Sequence, residues 1–153
     1  MPRFSIILLA AMISFVTPQL AVSACLTTLP DNPPFTPPAP YPTRVVNGFW
    51  YGTDALWMQL PISGEWASKR MGQKLFLWSL GYDWHKEPKP FIVVTGKRLD
   101  GEAPAVALAG GTNAFFGGQA AMLVGVDLPT EGCWEVTAYH GGHSLTFVVS
   151  VGP

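Results

Sequence analysis

From about residue 45 onward, apolar side chains recur at every second position in short runs, and each run is cut by Gly, Pro, Asn or Asp. Period two belongs to a strand with one buried face, whereas a helix would repeat every three to four residues. The pattern predicts eight strands, at 45–50, 55–60, 74–78, 91–98, 103–108, 121–128, 133–139 and 144–151. The alternation is clearest in the last three. Met122, Val124, Val126 and Leu128 share one face, Trp134, Val136 and Ala138 another, and Leu145, Phe147, Val149 and Val151 a third. Gly141 and Gly142 separate the last two runs, so those should close as an antiparallel hairpin. Eight short strands in about 110 residues is the density of an antiparallel β-sandwich.

The first 24 residues follow another plan. Arg3 precedes an apolar run at 4–16, Thr17, Pro18 and Gln19 break it, and small residues stand at Val22, Ser23 and Ala24. Basic, apolar, then small is the layout of a cleaved export signal. The apolar run has thirteen residues, short of the roughly 20 that span a bilayer as a helix. No later stretch is longer, so no membrane span is expected. Next comes an arm in which seven of the thirteen residues at 30–42 are proline. Such a stretch favours extended polyproline II and suits a strap or spacer. The expected organisation is a signal peptide at 1–24, a proline-rich arm at 25–43 and a β-sandwich at 44–153, exported to the periplasm or beyond.

Cleavage after Ala24 makes Cys25 the first residue of the mature chain, which leaves two fates for it. Val22-Ser23-Ala24-Cys25 has the form of a bacterial lipobox, and a lipid on Cys25 would anchor the protein to a membrane. The second cysteine, Cys133, favours the other fate, because exported chains with two cysteines most simply pair them. On its strand Cys133 alternates outward with Glu135 and Thr137, opposite to Trp134, Val136 and Ala138. An outward thiol is within reach of a chain terminus lying over the sheet. A Cys25–Cys133 disulfide strapping the arm to the outside of the sandwich is therefore expected.

Composition narrows the function classes. Hydrophobic residues make up 48% and charged residues 12%, which excludes disorder driven by charge. Sixteen Gly and fifteen Pro suit turns rather than long helices. Without Arg3, eight basic and ten acidic side chains remain, with no basic run, so a nucleic-acid partner is not expected.

The run from Leu128 through Gly132-Cys133-Trp134-Glu135-Val136-Thr137, followed by Ser144-Leu145-Thr146-Phe147-Val148-Val149, resembles the ending of a group of small exported bacterial proteins of unassigned function. Tyr51 to Trp57 and Thr95 to Gly101 resemble the strands that precede that ending in the group. The resemblance covers most of the mature chain. It implies an immunoglobulin-like sandwich and carries no activity with it.

Candidate chemistry is sparse. His140 and His143 flank a tight turn and could share a metal, and Cys133, His140 and His85 bring a blue-copper set to mind. However, Cys133 starts a strand that His140 ends, about 23 Å away at 3.3 Å per residue, and no methionine follows Cys133 as axial ligand. Both histidines are expected to be exposed turn residues that bind no metal, and no cofactor is expected. Asp83 and His85 alternate onto one strand face, an arrangement that orients an imidazole, yet no nucleophile can be assigned to them. No serine elbow, zinc-protease pair or phosphate-binding loop is present. The chain is thus expected to be a non-enzymatic binding or structural module of the cell envelope. The alternative is a carbohydrate-binding module. Five of six tryptophans fall between residues 50 and 84, and flat aromatic faces suit sugar rings. Trp57 and Trp134 sit in apolar strands and are expected in the core. Trp66 and Trp84, beside charged residues, are the expected exposed pair for a cell-wall or polysaccharide ligand.

Overall fold

The computed structural model describes residues 24–41, 45–66, 73–116 and 118–152; the expected signal peptide lies outside them except for Ala24. Among the described residues there are ten strands and no helix: β1 (Gly48–Thr53), β2 (Leu56–Pro61), β3 (Glu65–Trp66), β4 (Gln73–Trp78), β5 (Ile92–Arg98), β6 (Val106–Gly110), β7 (Thr112–Phe116), β8 (Gln119–Val126), β9 (Gly132–His140) and β10 (His143–Val151). All eight expected strands form, and two were not foreseen. β3 has only two residues and β7 lies between glycines, so neither offers an alternation to detect. Boundaries moved where turn residues decide them. Asn47 adopts a φ of 57° and delays β1 to Gly48. Pro104 lies outside β6, which starts at Val106.

The strands form two five-stranded sheets. Sheet A runs β1-β2-β4-β8-β7 and sheet B runs β3-β10-β9-β5-β6. Every pairing is antiparallel except that of β3 with β10. The chain passes from β4 to β5 and from β6 to β7, switching sheets each time, which builds a sandwich from a sequence of short hairpins and crossings.

The three predicted faces all turn inward. Met122, Val124 and Val126 of β8 meet Trp134, Val136 and Ala138 of β9 and Leu145, Phe147, Val149 and Val151 of β10 in one core, and Leu128 joins them from beyond β8. Trp66 also packs there, its ring edge-on to Phe147 with centroids 5.6 Å apart. The closing hairpin pairs His140 with His143. Its two-residue turn needs positive φ at both central positions, and Gly141 and Gly142 supply 56° and 81°.

A second apolar cluster lies on the outside of sheet A. Trp50, Trp57, Trp78 and Ala121 are buried there, covered by Phe35 and Tyr41 of the arm together with Val45 and Phe76. Trp57 is therefore fully buried as expected, but beneath the arm rather than between the sheets. The Tyr41 ring meets it edge-on at 5.0 Å.

The arm reaches that position from the far side of the molecule. Cys25 is bonded to Cys133 with the Cα atoms 5.3 Å apart, inside the usual range for a disulfide. Cys133 points away from the core as alternation requires, and is nevertheless buried. Further along, the Thr28 N–H donates to the Val148 carbonyl and the Thr28 hydroxyl accepts from the Val148 N–H. The Ser150 N–H donates to the Gly64 carbonyl, and the Tyr51 hydroxyl of β1 donates to the Thr146 carbonyl. These contacts close the outer edge of β10, which would otherwise present a row of unpaired backbone groups.

Candidate binding face

The register places four connections at one end of the sandwich. β4 ends beside the start of β8, and β5 starts beside the end of β9. The β1–β2 turn, the 79–91 loop, the β7–β8 turn and the β9–β10 turn therefore lie together, and the Leu80 N–H donates to the Asp54 carbonyl across two of them. Cys25 and Cys133 lie at the opposite end.

The 79–91 loop is braced internally. Asp83 accepts from the backbone N–H of His85 through Oδ1 and pairs with Lys86 Nζ at 3.1 Å through Oδ2, while its carbonyl accepts from Lys86 and Glu87. Hydrogen bonding from Lys86 and then from the His85 backbone holds the Asp83 carboxyl below its usual range. The Tyr82 hydroxyl donates to the Glu87 carbonyl, and the Glu87 carboxylate accepts from the Phe91 N–H. His140 reaches in from β9, with Nε2 at 3.7 Å from the Glu87 carboxylate and Nδ1 at 3.5 Å from the Phe91 carbonyl.

Two expectations are corrected here. Asp83 and His85 do not share a strand face; they belong to a turn in which the backbone of His85, not its imidazole, engages the carboxylate. The cause is local, since Asp83 makes a side-chain turn that competes with strand pairing. His143 is exposed, but the His140 side chain is only 11% exposed because Glu87 and the loop cover it. Among the described residues, no group of three His, Cys, Asp or Glu side chains gathers to hold a metal.

Above this frame stand aromatic side chains. Trp84 is half-buried, its ring tilted 32° against the His85 imidazole with centroids 3.7 Å apart and edge-on to Phe115 of β7 at 5.4 Å. Phe115 is 63% exposed, Phe91 67% and Leu80 62%, with Tyr139 beside them on β9. Trp84, expected to be exposed, is half-buried because its ring rests against His85 and Phe115. Trp66, also expected to be exposed, is buried to 8% exposure, because pairing of β3 with β10 turns its ring toward Phe147. The two do not form one site. Phe115 was missed because β7 carries no alternation, whereas Tyr139 was legible as the member of β9 out of phase with Trp134, Val136 and Ala138.

The outer tryptophan cluster poses a separate question. Among the described residues, the indole N–H groups of Trp50, Trp57 and Trp78 are buried and find no acceptor, whereas Trp134 donates to the Thr130 carbonyl. Among the described residues these three nitrogens are closed off from solvent.

Compared with known proteins, the chain matches no family model, no curated protein and no solved structure.

Proposed function

We propose that the mature chain is an exported, non-enzymatic, immunoglobulin-like module of the bacterial envelope that binds its ligand through the aromatic loop end. The observation carrying this reading is the set of aromatic rings at the end opposite the Cys25–Cys133 bond, with Phe91 and Phe115 exposed and Trp84 half-buried, presented on an internally bonded loop and strand. Rigid aromatic anchors lose little entropy on binding, and a loop braced before the ligand arrives keeps that cost low.

The immunoglobulin-like assignment is supported by strand order. β2-β4-β8-β7 and β10-β9-β5-β6 correspond to the A-B-E-D and G-F-C-C′ orders, with β1 and β3 added at the edges. The loop end then corresponds to the end that bears the binding loops of antibody variable domains. The disulfide differs, joining the arm to β9 instead of one sheet to the other. Export is supported by the signal layout and by a disulfide, which persists in oxidising compartments. The bonded sulfur of Cys25 is the atom that a lipid anchor would need. A non-enzymatic role is supported by the Asp83–His85 turn, which leaves the imidazole packed against the Trp84 ring instead of paired with the Asp83 carboxylate.

The second reading, a carbohydrate-binding module, rests on Trp84 alone of the two expected rings. Amide shifts of the labelled protein titrated with peptidoglycan fragments and plant polysaccharides test both. Shifts confined to residues 80–91, 115 and 139–143, abolished by Trp84→Ala, would support a sugar ligand at this end. Binding that leaves these residues unmoved would refute the site, and silence toward every glycan would remove the sugar reading.

A further inference from the structure

The two edges of sheet B are treated differently. The β10 edge is closed by Thr28, Gly64 and Tyr51, and even the edge of β7 in sheet A donates the Asn113 N–H to the Pro88 carbonyl. β6 ends sheet B on the other side, and among the described residues nothing caps it.

Which groups β6 presents follows from alternation. Val148 and Ser150 bond away from β9, so Phe147 and Val149 bond toward it, opposite Val136 and Trp134. On β9 the remaining residues, Glu135, Thr137 and Tyr139, then bond to Lys97, Thr95 and Val93 of β5. Ile92, Val94 and Gly96 are left to bond Gly110, Leu108 and Val106. The backbone N–H and C=O groups of Ala107 and Ala109 therefore point outward from the sheet edge.

Natural edges are blunted by charge, proline, bulges or a covering segment. Here residues 103–126 contain no Asp, Glu, Lys, Arg or His. Ala107, Leu108 and Ala109 are all exposed. Leu108 is 37% exposed although it pairs with core-facing Val94.

We infer that two copies of this chain pair through β6, antiparallel, about a two-fold axis at Leu108, joining their B sheets into one. In that register Ala107 of each copy lies opposite Ala109 of the other, so the outward groups of both satisfy each other. The methyl side chains allow close approach, no like charges meet, and each exposed Leu108 gains an apolar partner. A self-complementary, uncharged strand fits its own copy without needing a sequence-matched ligand. Because the β10 edge is capped, pairing stops at the closed dimer.

Sedimentation velocity of the oxidised mature protein, from micromolar to submillimolar concentration, tests this. A dimer is expected. Ala107→Pro removes an N–H that has no partner inside one copy, and by symmetry deletes two intersubunit hydrogen bonds, so the dimer should weaken by about tenfold or more. Ala107→Lys, which leaves the backbone intact, should weaken it too, and both variants should keep the strand signature in circular dichroism. Trp84→Ala at the loop end should leave the dimer unchanged, so failure of the binding proposal is separable from failure of this one. A protein monomeric throughout, a dimer indifferent to both Ala107 variants, a dimer lost on Trp84→Ala, or assembly beyond two copies would each overturn the inference.

Discussion

Gly132 shows how one residue can set the conditions for its neighbours. Its φ of 129° is one that residues with a Cβ rarely adopt, and Asp100 Oδ1 stands 2.7 Å from where a Cβ would be. Glycine there allows the Arg98–Asp100 pair, 2.8 Å between Nε and Oδ1, to lie over the start of β9 beside the disulfide. The hydrogen bond from Arg98 holds the Asp100 carboxyl below its usual range. A carboxylate lowered in the folded state contributes stability that is present above its unfolded pKa and is lost as pH falls through the folded one. Both side chains are about a quarter exposed, so the contribution is small. As pH falls below about 4, the ordinary carboxylate pKa, the melting temperature of the native protein should fall more steeply than that of Asp100→Asn. Parallel acid limbs in thermal scans would show that the pair contributes nothing.

The arm acts as a structural element without being a strand or a helix. Its prolines restrict the unfolded chain, so ordering it costs less than its length implies. Thr28 seals the β10 edge, and burial followed by the charge of Asp31 raises the Tyr51 phenol pKa where the arm passes it. Phe35 and Tyr41 then cover Trp57. The disulfide closes this path over a sequence separation of 108, for which chain entropy gives about 4 to 5 kcal/mol as an upper figure. Replacing both cysteines by serine should lower the urea unfolding free energy by up to that amount and speed amide exchange at Val148. A variant with native stability and native protection would mean that arm packing alone holds the element.

For the whole molecule, stability and recognition occupy separate places. The core between the sheets is continuous and, among the described residues, built from hydrophobic side chains, whereas the loop end is more exposed and held mainly by hydrogen bonds. Phe147 is fully buried against Trp66, and Phe147→Ala should cost about 3 to 5 kcal/mol through lost transfer energy and the cavity left behind. Trp84→Ala should cost within about 1 kcal/mol, since its ring is half-buried over a loop. Urea midpoints measured side by side decide this, and comparable losses would make the loop end part of the core.

Period-two alternation by itself determined which side chains of β8, β9 and β10 face inward, because a strand has only two faces and a one-residue slip would expose the whole apolar set. The same rule sent Cys133 outward, and with only two cysteines its partner followed. The twin glycines fixed the last hairpin, since few other residues accept positive φ twice in succession. Tertiary structure decided the rest. Trp57 and Trp66 both occupy apolar surroundings, yet one lies under the arm and the other between the sheets, a choice made by strand pairing that no local pattern records. His140 is covered by Glu87, 53 positions away in sequence, and the rings of Trp84 and Phe115 meet, at the end where Phe91 is exposed, only because sheet crossings bring their loop and strand together. Alternation depends on neighbours along the chain, whereas a binding face depends on which distant segments the sheets place side by side.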